Sequence, residues 1–126
     1  MLNGQLLIDF HVHLPQYAER TNSALEWFRS LCPSPEVYDA VSQTCADPAN
    51  FTAMLERKGV DYAVLLAEMT PSVSGIVSNE TIAAFCRSSD KLIPFCTFDP
   101  HRGGDLAAEL HRLAGDVSVA GGIFGN

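Results

Sequence analysis

Apolar and polar residues alternate from the sixth position of the chain. Leu6, Ile8, Phe10, Val12 and Leu14 take the even positions; Asp9, His11 and His13 take odd ones, after an apolar Leu7. Successive side chains of a strand point to opposite faces. The alternation therefore predicts a strand with one packing face, the other face carrying a carboxylate and two imidazoles.

The spacing then becomes helical. "NSALEWFRSL" predicts a helix capped near Asn22 or Ser23. "SPEVYDAVSQ" predicts another, with Ser34 as its cap and Pro35 at the first helical position. "DPANFTAMLERKG" repeats that grammar: Asp47 caps, Pro48 follows, Phe51, Met54 and Leu55 form a stripe, and Gly59 stops the helix. In "VDYAVLLAE" the run from Tyr62 to Ala67 is almost wholly apolar, as a strand buried on both faces of a parallel sheet requires.

"SNETIAAFCRSS" predicts a helix with Ile82, Phe85 and Cys86 inward. "LIPFCTFD" predicts a third strand, with Pro94 near its start or at an irregular spot. "GGDLAAELHRLAGD" predicts a helix with Leu106, Leu110, Leu113 and Ala114 on one side, and "VSVAGGIF" the beginning of a fourth strand. Strands alternating with helices point to α/β architecture: right-handed βαβ units on a parallel sheet. No internal repeat, low-complexity tract or linker divides the 126 residues, so one domain is expected.

Composition narrows the function classes. A hydrophobic content of 47% suffices for a packed core. Eight Lys and Arg against 15 Asp and Glu give a formal charge of −7, which disfavours nucleic acid because few cations are present to displace phosphate counterions. No apolar run approaches the ~20 residues of a membrane helix. The N-terminus has no basic region and Asp9 interrupts its apolar stretch, so it does not read as a secretory signal and a cytoplasmic protein is expected. Cys32, Cys45, Cys86 and Cys96 show no C-x-x-C spacing and are expected to be reduced and mostly buried. Without secretion, the sequons at Asn50 and Asn79 carry little meaning.

The chemistry concentrates in "IDFHVHL". Neutral imidazole is a good ligand for zinc and similar ions, and histidines at i and i+2 of a strand reach one ion together. His11 and His13 are the candidate metal ligands, at the C-terminal end of the strand, where parallel α/β folds gather their sites. Asp9 is expected behind them on the same face, orienting an imidazole or balancing charge. A polar strand end with no metal is the alternative. Glu68 at the end of the second strand, and Asp99 and His101 after the third, are candidates for the same rim. Their alternatives are a turn cap at Asp99-Pro100 and a solvated loop from His101. His111 reads as a helix-flank residue; Trp27 and Phe28 read as core or helix packing, with the shaping of a pocket or an interface as the alternative. No residue is assigned as catalytic acid, base or nucleophile.

These residues resemble a known family. "IDFHVHL" is similar to the D-x-H-x-H signature on the first strand of the amidohydrolase superfamily. "MLERKGVDYAVLLAE" and "SNETIAAFCRSSDKLIPFCTFDPHRGGDLAAELHRL" resemble the branch that includes aminocarboxymuconate-semialdehyde decarboxylase and γ-resorcylate decarboxylase. The likeness runs from about Leu6 to about Val119. It implies a (β/α)8 TIM barrel holding a metal, usually zinc. Of the implied ligands, His11 and His13 match. It also implies a small-molecule substrate, hydrolysed or decarboxylated without redox chemistry. Two imidazoles equally suit manganese, cobalt or nickel.

A barrel of this kind needs ~250 residues. The chain is therefore expected to be the truncated N-terminal part of such a domain, residues 1–126, with the first three to four parallel strands and their helices. Where the family continues its fourth strand with a lysine and a proline, this chain reads "VAGGIFGN". The expected consequences are an incomplete metal site, an open sheet edge and no activity of the chain alone. The alternative is a non-catalytic α/β remnant that self-associates through its open edge as a homo-oligomer.

Overall fold

The computed structural model describes residues 3–99, 103–117 and 121–124. The first strand, β1, spans Ile8–Val12 and is followed by helices α1 (Asn22–Ser30), α2 (Pro35–Cys45) and α3 (Pro48–Lys58). Strand β2 (Tyr62–Leu66) leads into a hairpin of β3 (Glu68–Thr70) and β4 (Gly75–Val77). Helix α4 (Asn79–Cys86), strand β5 (Leu92–Phe98), helix α5 (Leu106–Arg112) with a π-helical turn at Leu113–Val117, and strand β6 (Gly121–Phe124) complete the order.

Local chemistry sets the helix ends. Asp47 accepts the Asn50 N–H at 2.9 Å and Pro48 opens α3. Gly59 closes it at φ 72°, a left-handed conformation that costs glycine nothing. Ser78 caps α4 through the Thr81 N–H, and Asp105 caps α5 through the Ala108 N–H. The cap of α1 is Thr21, just before the expected Asn22 or Ser23, because the Thr21 hydroxyl accepts the Ala24 N–H.

Strands β1, β2, β5 and β6 form one parallel sheet in that order, so each new strand extends the sheet in the same direction. Ala63, Leu65 and Ala67 from β2 and its end, with Leu92 from β5, pack against Phe51 and Leu55 of α3 and Ile82, Phe85 and Cys86 of α4. Cys96 and Phe98, on the same side of β5 as Leu92, pack with Leu106 and Leu113. Helices α3, α4 and α5 thus cover one face. Burying that apolar face is the main stabilising term of such a layer. The sheet is open, with β1 and β6 at its edges, and no barrel closes among the described residues.

Pro94 is accommodated because the residues of β5 alternate in direction. The carbonyls of Lys91 and Phe95 accept from β2, so Pro94 is turned the other way, one residue ahead of the first pair with β6. The expected stripe on the last helix is narrower than its spacing suggests. Leu113 is fully buried and Leu106 partly so, but Leu110 is 42% exposed and Ala114 is also exposed. The expected fourth strand is present as β6; Ser118, Val119 and Ala120 lie outside the described residues.

The regular alternation of β1 conceals a bulge. Ile8 pairs with Tyr62 and Asp9 with Ala63, but Val12 pairs with Leu65, so three steps along β1 match two along β2. One extra residue reverses the facing of everything after it. Val12 packs against the helix-side core and Leu14 is fully buried there. Ile8 and Phe10 share the opposite face with Val64, Leu66 and Phe95, and the Phe10 and Phe95 rings meet edge to face at 5.6 Å. The single packing face expected for Leu6 to Leu14 is therefore two half-faces. Leu6, Ile8 and Phe10 are 62, 48 and 64% exposed.

Candidate functional site

The bulge brings the two histidines of β1 together and parts them from Asp9. His11 Nε2 lies 3.0 Å from His13 Nε2, with ring centroids 4.9 Å apart. Asp9 shares the face of Ala63 and Leu65, the helix side, and not that of His11 and His13. Its carboxylate accepts the backbone N–H of His11 at 3.3 Å. The expectation that Asp9 stands behind the imidazoles on their own face is corrected: it holds the strand at the bulge.

Glu68, the first residue of β3, stands beside His13, its Oε2 3.3 Å from His13 Nδ1. Three hydroxyls anchor this carboxylate. Tyr17 donates to Oε2 at 2.9 Å, Thr70 donates to Oε1 at 2.7 Å, and Ser74 also donates to Oε1. Burial pushes the Glu68 pKa up, but the hydroxyls of Ser74, Thr70 and Tyr17 and the charge of His13 outweigh it, so the group titrates below the usual carboxylate range. Burial lowers the His13 pKa, Glu68 pulls it back up, and His11 lowers it again; the net shift is downward. At neutral pH His13 is therefore an uncharged imidazole, the form that binds metals.

A short unit of chain carries these donors. Ala18 and Ile76 exchange backbone hydrogen bonds of 2.7 and 2.8 Å, tying the Tyr17 segment to the hairpin. Gly75 allows this approach: at φ 128° a side chain is strained, and a Cβ there would lie 3.0 Å from the Ala18 carbonyl oxygen and the Arg20 Cα.

Beyond His13 opens an apolar cavity of about 300 Å³, lined among others by Tyr17, Phe28, Tyr38, Cys45, Phe51 and Met54. Phe28 is stacked between Tyr17 and Tyr38, at 5.5 and 6.3 Å. Arg20 donates to the Tyr38 hydroxyl, and Arg29 grips Asp39 with two nitrogens, joining α1 to α2. Phe28 packs between the two tyrosines and also lines the cavity, so both readings of it apply. Trp27 is not a core residue: it rests tilted on Phe28 and is 58% exposed.

Of the expected rim residues that are described, Glu68 reaches the histidines and Asp99 does not. Asp99 lines a separate cavity of about 310 Å³ with Asn79, Thr97, Asp105 and Glu109. His101 lies outside the described residues. His111 is exposed on α5, as a helix-flank residue should be. Tyr17, Thr70 and Ser74 went unsignalled in the sequence, because the hairpin that gathers them pairs only three residues per strand. All four cysteines are free; Cys45, Cys86 and Cys96 are buried and Cys32 is partly exposed.

Two imidazoles on one tetrahedral zinc ion, each with a Zn–N bond of ~2.0–2.1 Å, place their nitrogens roughly 3.3–3.4 Å apart. The 3.0 Å between His11 and His13 is a little shorter, so a small parting of the two rings would admit the ion. Without a cation the same distance requires a proton on one nitrogen. Among the described residues no group of three or more His, Cys, Asp or Glu side chains surrounds a common point suited to a metal, so the chain offers a pair of donors there. No helix is long and apolar enough to cross a membrane, among the described residues. No family model, no curated protein and no solved structure matches the chain.

Proposed function

We propose that the chain carries the first-strand part of a metal site of amidohydrolase type, in which His11 and His13 bind one divalent ion through their Nε2 atoms. The observation that carries the reading is the 3.0 Å approach of those two nitrogens at the end of β1. The resemblance of "IDFHVHL" to D-x-H-x-H supports it. So does the architecture: strands added in one direction, with helices α3, α4 and α5 on one face, are the arrangement from which a (β/α)8 barrel is built. We read the sheet as one segment of such a barrel.

A bound zinc or manganese ion would acidify a water or polarise a substrate oxygen, the chemistry of hydrolysis or of non-oxidative decarboxylation. His13 supplies a neutral donor and Glu68 orients it. The apolar cavity beside His13 is where a small-molecule substrate would rest against the aromatic stack. With two protein donors the chain alone binds metal weakly and does not turn over substrate. Titration with Co²⁺ tests the site: binding with ligand-field bands that change in His11→Ala and His13→Ala supports it, and binding unchanged by both substitutions refutes it.

A second reading is favoured by the bare strand β1. Leu6, Ile8 and Phe10 stand exposed on an edge whose outer backbone groups face no strand among the described residues. An apolar open edge is a template for pairing with another chain. On this reading the protein is non-catalytic and self-associates through β1. Sedimentation distinguishes it: a monomer at micromolar concentration rejects self-association.

A further inference from the structure

We propose that Glu68 is a positioning residue: held rigid by the β3–β4 hairpin, it fixes His13 as the Nδ1–H tautomer and leaves the Nε2 lone pair pointed toward His11. The use of that lone pair for metal rests on the function proposed above; the tautomer does not.

The geometry leads there in three steps. The Glu68 carboxylate lies 3.3 Å from His13 Nδ1 as a charge contact, and its negative charge favours the ring proton on that nearer nitrogen over the more distant Nε2. A neutral ring has one N–H, so His13 Nε2 becomes the acceptor. His11 Nε2, 3.0 Å away, must then supply a proton in the absence of a cation, or both lone pairs must meet one. The tautomer is informative because free neutral histidine favours the opposite form, with the proton on Nε2.

The hairpin makes this a designed orientation rather than a passing contact. Glu68 begins β3, directly after Ala67, where β2 ends beside β1. Thr70 and Ser74 hold Oε1 from within the hairpin, and Tyr17 holds Oε2 from the segment paired to it at Ala18–Ile76. With Glu68 20% and His13 32% exposed at their side chains, water competes only in part. A carboxylate that orients a metal-binding histidine raises the basicity of the ligand nitrogen, and its loss typically weakens metal binding ~10–100-fold.

The test is a ¹⁵N–¹H correlation spectrum of the histidine rings in chelator-treated protein at neutral pH, with His13 assigned by substitution. The expected result is an Nδ1–H pattern for His13 in the unsubstituted chain and a change to mainly Nε2–H both in Glu68→Ala and in Glu68→Gln, which keeps the shape of the side chain and removes its charge. Nε2–H in the unsubstituted chain overturns the proposal, and so does Nδ1–H retained in Glu68→Ala. If Glu68→Ala does not fold, the unsubstituted spectrum decides alone. Zn²⁺ titration separates the two ideas. Nδ1–H with no Zn²⁺ binding sustains the positioning role and overturns the metal reading, whereas Zn²⁺ binding with Nε2–H does the reverse.

Discussion

Asn79 of α4 holds Thr97 of β5 by both backbone groups: its amide nitrogen donates to the Thr97 carbonyl at 3.1 Å, and its amide oxygen accepts the Thr97 N–H at 2.9 Å. The two residues are 2 and 3% exposed. Pairing of β2 with β5 runs to Leu66 and Phe95, after which the chain turns into the hairpin, so a side chain takes the place of a missing strand. Asn79→Ala would leave a buried donor and a buried acceptor unpaired, which costs ~1–3 kcal/mol per group. We expect a loss of about 2–4 kcal/mol in urea unfolding. A loss below half a kcal/mol would show that water replaces the amide without penalty.

Asn79 also shows what sequence patterns leave hidden. In "SNET" it reads as a sequon or a helix start; its task, satisfying a backbone 18 residues away, depends on where β2 ends. Local chemistry was legible: Asp47, Pro48 and Gly59 bound α3 because capping and left-handed stops act within a few residues. The apolar run of β2 was legible because both faces are covered. The bulge in β1 was not. Apolar residues stand at even positions on both sides of it, so a pattern count sees one face where the partner strand imposes two. The spacing of His11 and His13 marks them in the sequence, whereas nothing marks the hydroxyls that hold Glu68: Tyr17 lies 51 residues away, and Thr70 and Ser74 turn to it only through a hairpin too short to show a pattern.

His11 and His13 should contribute comparably to metal affinity. Removing either leaves one imidazole, so His11→Ala and His13→Ala should each weaken Zn²⁺ binding by at least ~10-fold in calorimetric titration, more than a supporting residue alone would. Asp9→Asn should change affinity little, because its contact is to the His11 backbone N–H, which an amide oxygen also accepts. A larger effect from Asp9→Asn than from His11→Ala would place the metal elsewhere.

Gly75→Ala tests the hairpin. The added methyl meets the Ala18 carbonyl oxygen and the Arg20 Cα at 3.0 Å, in a backbone conformation unfavourable for L-residues. A strained residue of this kind costs ~1–3 kcal/mol. Thermal unfolding should shift down by several degrees, and amide exchange at Ala18 and Ile76 should accelerate before that of β2. Unchanged exchange at both would mean that the segment is held without this bridge.

Stability should fall in alkaline solution through the buried thiols. Burial pushes the Cys86 pKa up to about 12 from an ordinary value near 9.0. The folded chain then keeps a proton that the unfolded chain loses, so this contribution is whole below pH 9 and declines as pH rises toward 12. Fully developed, a three-unit separation is worth ~4 kcal/mol. Cys86→Ala removes the titration, so the stability gap between the unsubstituted chain and the variant should narrow between pH 9 and pH 11. A constant gap would mean that Cys86 stays neutral in both states over that range.

Phe10→Lys separates folding from association. Phe10 is 64% exposed and its ring meets that of Phe95 edge to face, so its loss should cost the monomer little, within about 1 kcal/mol. A charge on an edge strand opposes pairing with another strand, since its desolvation has no compensating partner. If β1 drives self-association, the variant should sediment at a lower mass than the unsubstituted chain at equal concentration, with a similar unfolding midpoint. Glu80→Ala, exposed on α4 and away from β1, is the control and should leave the mass unchanged. Equal masses for Phe10→Lys and the unsubstituted oligomer would move the interface off β1. A monomer in both would leave the exposed strand as a feature that this chain tolerates at micromolar concentration, and would reject the self-association reading in favour of the metal-site one.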